Sequence, residues 1–228
     1  MPNLLLLHGA LGHSDIFKPY MNTLSRYFTI HTPLFSGHGN QELPADGINT
    51  KKYTQELSEY CKTNNLTDVF IFGHSMGGYI ALCYVIENPE NVNSIIMLGT
   101  KFDWTEEQAL KESKMLNPDV ILEKIPKYAQ LLESQHGTKW RQLLPAIADL
   151  MIDLGKNPPL ENNLASINTP VQIMVGDKDN MVTIEESVKV YRSLPNAKLA
   201  VLPDTKHPMD KVRPDLLLNL IKDFWNLS

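Results

Sequence analysis

Short apolar runs alternate along the chain with longer stretches in which apolar residues recur every three or four positions. The first run, Leu4, Leu5, Leu6 and Leu7, stops at His8-Gly9. An uninterrupted apolar run of this length predicts a strand buried on both faces. Residues 14–27 predict a helix with Ser14 at its N-cap, and residues 28–34 predict a second strand ending near Ser36-Gly37-His38-Gly39. Residues 50–65 predict a helix, because Tyr53, Leu57, Tyr60 and Cys61 recur at helical spacing. Residues 68–72 predict a third strand, followed at once by glycine. Residues 76–87 are apolar nearly all round, which predicts a helix buried on several sides. Strands over 94–98, 171–175 and 198–202, with a helix over 183–193, continue the alternation. The chain closes with an amphipathic helix over 215–225, presenting Leu216, Leu217, Leu220, Ile221, Phe224 and Trp225, with Pro214 just ahead where proline is tolerated.

Buried strands alternating with helices predict an α/β fold with a mostly parallel sheet, whose ligands bind at the carboxyl ends of the strands. Residues 102–168 break the alternation with helical patterns and no convincing strand. Thr105-Glu106-Glu107 reads as a helix start, Pro118 and Pro126 divide the next stretch, residues 141–154 form a longer amphipathic piece, and Pro158-Pro159 marks the exit. This predicts a helical lid inserted between two strands of one sheet, within a single domain spanning residues 1–228. There is no internal repeat and no low-complexity tract.

Composition narrows the function classes. A chain of 228 residues can bury enough surface to fold without disulfides or metal. The net charge of −5 argues against a nucleic-acid partner, which needs a basic footprint. The two cysteines, Cys61 and Cys83, both fall in predicted helices, which argues against a disulfide framework or a cysteine-rich zinc site. No apolar stretch is long enough to span a membrane, and residues 4–7 are too short and lack the preceding basic residue of a signal peptide. The expected location is the cytoplasm. Nothing in the sequence specifies an oligomeric state.

The candidate chemistry sits at the predicted strand ends. Gly73-His74-Ser75-Met76-Gly77 has the form G-x-S-x-G, between the third strand and the apolar helix. In isolation it reads equally as a helix N-cap serine after a glycine turn. Between a strand and a buried helix it reads as a nucleophile elbow, with Ser75 exposed at the positive end of a helix. Serine attack on a carbonyl creates an oxyanion that needs preplaced donors. The backbone N–H of Met76 is one candidate. The turn His8-Gly9-Ala10-Leu11-Gly12 supplies the other, with Ala10 the first choice and Leu11 the second. Of seven histidines, His207, on the loop after the last strand, is best placed to be the base. Asp177 and Asp179 both follow the strand over 171–175, Asp103 follows an earlier one, and spacing alone does not rank them. The cluster at 177–180 lacks the glycine and closing glutamate of a calcium loop, so no metal is expected.

Leu-His-Gly-Ala-Leu-Gly at 7–12, Gly-His-Ser-Met-Gly-Gly at 73–78, Gly-Asp-Lys-Asp at 176–179 and the His207 loop, in the chain order Ser, Asp, His, resemble the α/β-hydrolase superfamily in its small single-domain serine esterase and lyase branch. The resemblance runs from Leu4 to the C-terminus and is weakest in the lid. It implies a catalytic set of Ser75, Asp179 and His207, because the family's Gly-x-x-Asp pattern places the acid at the fourth position. Residues 35–39 resemble the family's structural Pro-Gly-His-Gly turn, with Ser36 in place of proline. The family's two leading antiparallel strands have no counterpart before Leu4, which implies a shortened sheet of about six strands and a less covered edge.

Chemistry and resemblance together imply acyl transfer from a small-molecule ester or thioester through an acyl-serine, with no cofactor or metal. Leu11, Trp104 and Trp140 are candidate lining residues of an apolar substrate pocket; Met115 and Leu116 are further apolar residues of the insertion. Two alternatives share the same residues: a carbon–carbon hydrolase or lyase resembling the menaquinone-pathway lyase, and a ligand-binding receptor with vestigial hydrolysis. The insertion contains a single arginine, Arg141, which argues against a highly anionic substrate.

Overall fold

The computed structural model describes residues 1–228. Its strands are β1 (Asn3–Leu7), β2 (Thr29–His31), β3 (Val69–His74), β4 (Val92–Leu98), β5 (Val171–Gly176) and β6 (Ala197–Leu202). They form one six-stranded sheet in the order β2-β1-β3-β4-β5-β6, with every pairing parallel. The helices are α1 (Lys18–Leu24), α2 (Thr50–Thr63), α3 (Met76–Glu87), α4 (Glu106–Ser113), α5 (Pro118–Lys124), α6 (Pro126–His136), α7 (Trp140–Lys156), α8 (Ile184–Ser193) and α9 (Pro214–Phe224). None is long and apolar enough to cross a membrane.

Strand side chains alternate between the two faces of the sheet, and so does the core. Leu4 and Leu6 pack with Ile96, Leu98 and Met174 against Leu24 of α1 and Leu217 and Ile221 of α9. Leu5 and Leu7 pack with Ile95, Met97 and Ile173 against Tyr53 and Leu57 of α2, Ile80 and Tyr84 of α3, and Val190 of α8. That explains why the central strands read as nearly continuous apolar runs, since they are covered on both faces, whereas the edge strands β2 and β6 are partly exposed.

Two elements depart from the sequence expectation. The helix expected over 14–27 is a 3-10 turn, Ser14–Phe17, followed by α1. Pro19 lacks an N–H and is tolerated only in a helix's first turn, so the α-helix begins at Lys18. The cap is the His13 ring, which accepts the Asp15 N–H at 3.2 Å, and not Ser14. The second strand is only Thr29–His31. Pro33 cannot donate to a ladder, and the Phe35 N–H is taken by the His8 ring at 3.2 Å.

Between β4 and β5 the chain is helical, as its pattern predicts. These strands are parallel, so α4 to α7 also form the crossover that returns the chain to the start of β5. Leu143, Leu144, Ile147, Leu150 and Leu154 of α7 belong to the same apolar core as α3.

Candidate active site

β3 ends at His74 and α3 begins at Met76, leaving Ser75 alone to turn the chain, at φ 53° and ψ −120°. A non-glycine residue held there costs roughly 1–3 kcal/mol, so the surroundings must fix it. The Ser75 N–H donates to the Leu98 carbonyl at 2.9 Å, and the Ser75 carbonyl accepts from the Thr100 hydroxyl and the Gly78 N–H, each at 3.0 Å. The flanking glycines are required by close approach. A Cβ on Gly73 would lie 2.4 Å from the Gly78 nitrogen, and one on Gly77 would lie 2.2 Å from the Leu7 carbonyl oxygen. The elbow stands between β1 and β3, where the strand order reverses and such sheets bind ligands.

The β5 and β6 loops bring two further groups to Ser75. Asp179 accepts the N–H groups of Met181 and Val182 on Oδ1, at 2.8 and 3.0 Å. Its Oδ2 lies 2.8 Å from His207 Nδ1, and His207 Nε2 lies 3.2 Å from Ser75 Oγ. A carboxylate only accepts, so Nδ1 carries the ring proton and Nε2 turns a lone pair to the serine hydroxyl. The Asp179 side chain is 2% exposed. Burial pushes its carboxyl up, but the hydrogen bond and attraction of His207 and the two backbone N–H groups outweigh it and hold the pKa below the usual carboxylate value.

The other two aspartates are engaged elsewhere. Asp177 turns back to accept the Thr205 N–H at 3.1 Å, which ties the two loops together. Asp103 is exposed and makes no contact with His207. His74 has a part that sequence reasoning misses. Neighbouring side chains on an elbow are expected to point apart, yet the His74 Nε2–H donates to the His207 carbonyl at 3.0 Å. Burial, reinforced by the nearby His207 ring, lowers its pKa to about 3, so it stays neutral.

Gly9 brings the turn after β1 against the elbow: a Cβ there would lie 3.0 Å from Ser75 Cβ. The turn is closed by the Gly12 N–H donating to the Gly9 carbonyl at 3.0 Å, and Leu11 sits at φ 55°. The N–H groups of Ala10 and Leu11 have no partner within the protein. Met76 opens α3, so its N–H has no intrahelical acceptor.

The three pocket candidates separate. Trp104 lines a cavity of about 510 Å³ with Tyr79, Phe102, Leu160 and Val190, and its indole N–H donates to the Lys101 carbonyl at 3.1 Å. Trp140 does not line that cavity; at 4% exposure it is packed into the main apolar core at the start of α7. Leu11 is also buried in that core. No three His, Cys, Asp or Glu side chains are grouped to hold a metal ion.

Known proteins share this architecture and align along nearly all of this sequence. A thermophilic esterase from Thermogutta terrifontis superposes with a TM-score of 0.81 at 18% identity, over 99% of this chain and 90% of its own. The pimeloyl-[acyl-carrier protein] methyl ester esterase of Pseudoalteromonas atlantica is 25% identical over 97% of this chain and 94% of its own length. The 2-(acetamidomethylene)succinate hydrolase of Mesorhizobium japonicum is 23% identical over 98% of this chain and 87% of its own length. The family model described as serine aminopeptidase, S33, matches residues 2–209. The chain is an α/β hydrolase and belongs to the serine aminopeptidase S33 family.

Proposed function

We propose that this protein is a serine hydrolase that cleaves a small ester-type substrate, a carboxylic ester or thioester, through an acyl-serine intermediate. The observation that carries the reading is the hydrogen-bonded run from Asp179 through His207 to Ser75. His207 Nε2 takes the Ser75 proton as Oγ attacks the acyl carbon. Asp179 keeps the ring in the tautomer that makes this possible and stabilises the imidazolium that forms. The N–H groups of Met76 and Ala10 receive the oxyanion, and each such donor is worth about 3 kcal/mol of barrier lowering. His207 then passes its proton to the leaving alcohol or thiol. Water, deprotonated by the same nitrogen, releases the acyl group and restores Ser75. No step requires a cofactor.

The segment 102–168 acts as the lid of this site. Trp104, which lines a cavity of mixed polar and apolar character, and Leu11, in the turn after β1, are its candidate contacts with the acyl group. The esterase relatives support ester chemistry, and a Bacillus subtilis relative described as a putative 2-succinyl-6-hydroxy-2,4-cyclohexadiene-1-carboxylate synthase, 23% identical over 97% of this chain, supports the lyase alternative.

The test is turnover of p-nitrophenyl acetate and butyrate beside short thioesters, lactones and ring-cleavage dienones. Wild type is expected to hydrolyse the esters, and Ser75→Ala to fall to the uncatalysed rate. Undiminished turnover in Ser75→Ala removes Ser75 from the mechanism, and turnover of the dienones alone replaces ester hydrolysis with carbon–carbon cleavage.

A further inference from the structure

The turn that carries the Ala10 N–H is held from outside by one side chain. His136 closes α6, within the helical segment between β4 and β5, and is 1% exposed. Its Nδ1 lies 2.9 Å from the Gly39 nitrogen and its Nε2 lies 3.2 Å from the Leu11 carbonyl oxygen. A backbone N–H can only donate and a carbonyl can only accept. The ring is therefore neutral, with its proton on Nε2, and in that tautomer both contacts are satisfied together. One side chain thus joins the helical segment, the turn at 35–39 and the turn after β1.

The Leu11 carbonyl has no other partner. Its orientation sets ψ at Leu11, a residue already in the left-handed region at φ 55°, where a side chain costs roughly 1–2 kcal/mol. With Gly12 bonded back to Gly9, a rotation of the Leu11 carbonyl has to be absorbed by the peptide planes that carry the Leu11 and Ala10 N–H groups. The Ala10 N–H is the donor this turn offers to the oxyanion, with Leu11 the second candidate. An error in their direction is expensive, because the donors act only when aimed at the oxygen's position in the transition state.

We propose that His136 is a positioning residue for the oxyanion: its Nε2–H holds the Leu11 carbonyl, and so aims the N–H groups of the turn after β1 at the carbonyl oxygen of the substrate bound at Ser75. Gly39 holds the ring in place through Nδ1. The assignment rests on the serine-hydrolase reading and makes the helical segment part of the catalytic geometry.

The surroundings keep the ring neutral. The His38 ring is centred 5.7 Å away and the His13 ring 6.4 Å away. Lys139, on the turn entering α7, is held off by the carbonyls of Asn40 and Gln41 and by Glu42. Burial lowers the His136 pKa against the pull of the Leu11 carbonyl, and His13 and Lys139 add to the lowering.

The experiment compares wild type, His136→Asn and His136→Gln on an aryl ester and on the thionoester of the same acid and phenol. Sulfur is a poor hydrogen-bond acceptor, so the ratio of oxygen-ester to thionoester kcat reads how well the oxyanion donors are aimed. Asparagine can reproduce the Nδ1 acceptor and loses the Nε2 donor; glutamine can keep the donor. His136→Asn is expected to lower kcat for the oxygen ester about 10- to 100-fold with KM little changed, and to lower the ratio by a similar factor. His136→Gln is expected to keep the wild-type ratio. Circular dichroism reports whether each variant folds. A folded His136→Asn with the wild-type ratio overturns the proposal. Where His136→Asn does not fold, a folded His136→Gln decides: a wild-type ratio supports the proposal and a reduced one overturns it. Ser75→Ala is run alongside. Turnover that survives there sinks the serine reading, whereas a silent Ser75→Ala beside an unchanged His136→Asn ratio sinks only the assignment of His136.

Discussion

Asp177 and Asp179 stand two positions apart in one loop and do different work. Asp179 faces His207 and is fixed by two backbone N–H groups; Asp177 faces the Thr205 N–H. Asparagine at 179 would turn an amide N–H₂ or a weaker acceptor toward the ring and lose the charge that stabilises the imidazolium. Asp179→Asn is therefore expected to lower kcat about 10³- to 10⁴-fold. Asparagine at 177 keeps an acceptor for Thr205, and Asp177→Asn is expected to cost less than tenfold. Steady-state kinetics on p-nitrophenyl butyrate check the order, and a larger loss at 177 would reassign the acid. Spacing could not separate these residues, because their difference lies in which way the loop between β5 and α8 is folded. The resemblance to a family pattern separated them. Ser75 was legible because a strained turn between a strand and a helix demands glycines on both sides. His74 and His136 were not, since each is recognised only by distant backbone groups: the His207 carbonyl for one, the Leu11 carbonyl and Gly39 N–H for the other.

At the scale of elements, β1, β3 and α3 meet so closely that the glycines of the motif are a packing requirement in their own right. A methyl at position 77 would point at the Leu7 carbonyl of β1, backbone that cannot swing aside. Gly77→Ala is expected to destabilise the protein by more than about 3 kcal/mol, beyond ordinary overpacking. The melting temperature should fall by about 10 °C, or the protein should fail to accumulate in soluble form. An unchanged melting temperature would mean that β1 and α3 are not in contact. Strands β3 to β5 were legible to within a few residues, since burial on both faces leaves a nearly uninterrupted apolar signature, and β6 was legible although Lys198 and Val201 face solvent at the sheet edge. β2 was overestimated because it pairs on one side only and a proline ends its ladder. The helices of residues 102–168 were legible as helices. What α7 packs against was not, because an amphipathic stripe records that a face is buried and not which neighbour buries it.

Across the whole molecule, His8, His38, His74 and His136 are all buried, at 0%, 0%, 7% and 1% exposure. Burial lowers the His8 pKa from 6.5 to about 4, and it lowers His38, His74 and His136 as well. Well above pH 6.5 these rings are neutral in the folded and the unfolded chain. As the pH falls from about 6.5 toward 4, the unfolded chain takes up protons that the folded protein refuses, so stability is lost across that window. The His8 shift alone is worth about 3 kcal/mol. Lowering the pH from 7 to 4.5 is expected to reduce the melting temperature by about 10 °C or more. A thermal melt series at constant ionic strength checks this, and a flat profile would mean that the rings are open to water. The sequence shows seven histidines, most of them near glycine turns. The gathering of His8, His13, His38 and His136 depends on the end of β1, the 35–39 turn and α6 converging, which no local pattern records.

The crossover from β4 to β5 has a consequence for how proteins of this shape can diverge. A loop joining antiparallel neighbours can be trimmed to two residues without disturbing the sheet. This connection cannot be trimmed so far, since the chain leaving Leu98 must travel back the length of the sheet before Val171 can begin. The helical segment 102–168 is therefore also the connection that joins the last two strands to the rest of the sheet. Such a segment can vary by substitution but cannot be shed without breaking the parallel connection. The room for such change is on its outer surface, where Leu110, Met115, Leu122 and Ile125 face solvent. Its inner surface, from Leu143 to Leu154, is bound to the history of the sheet.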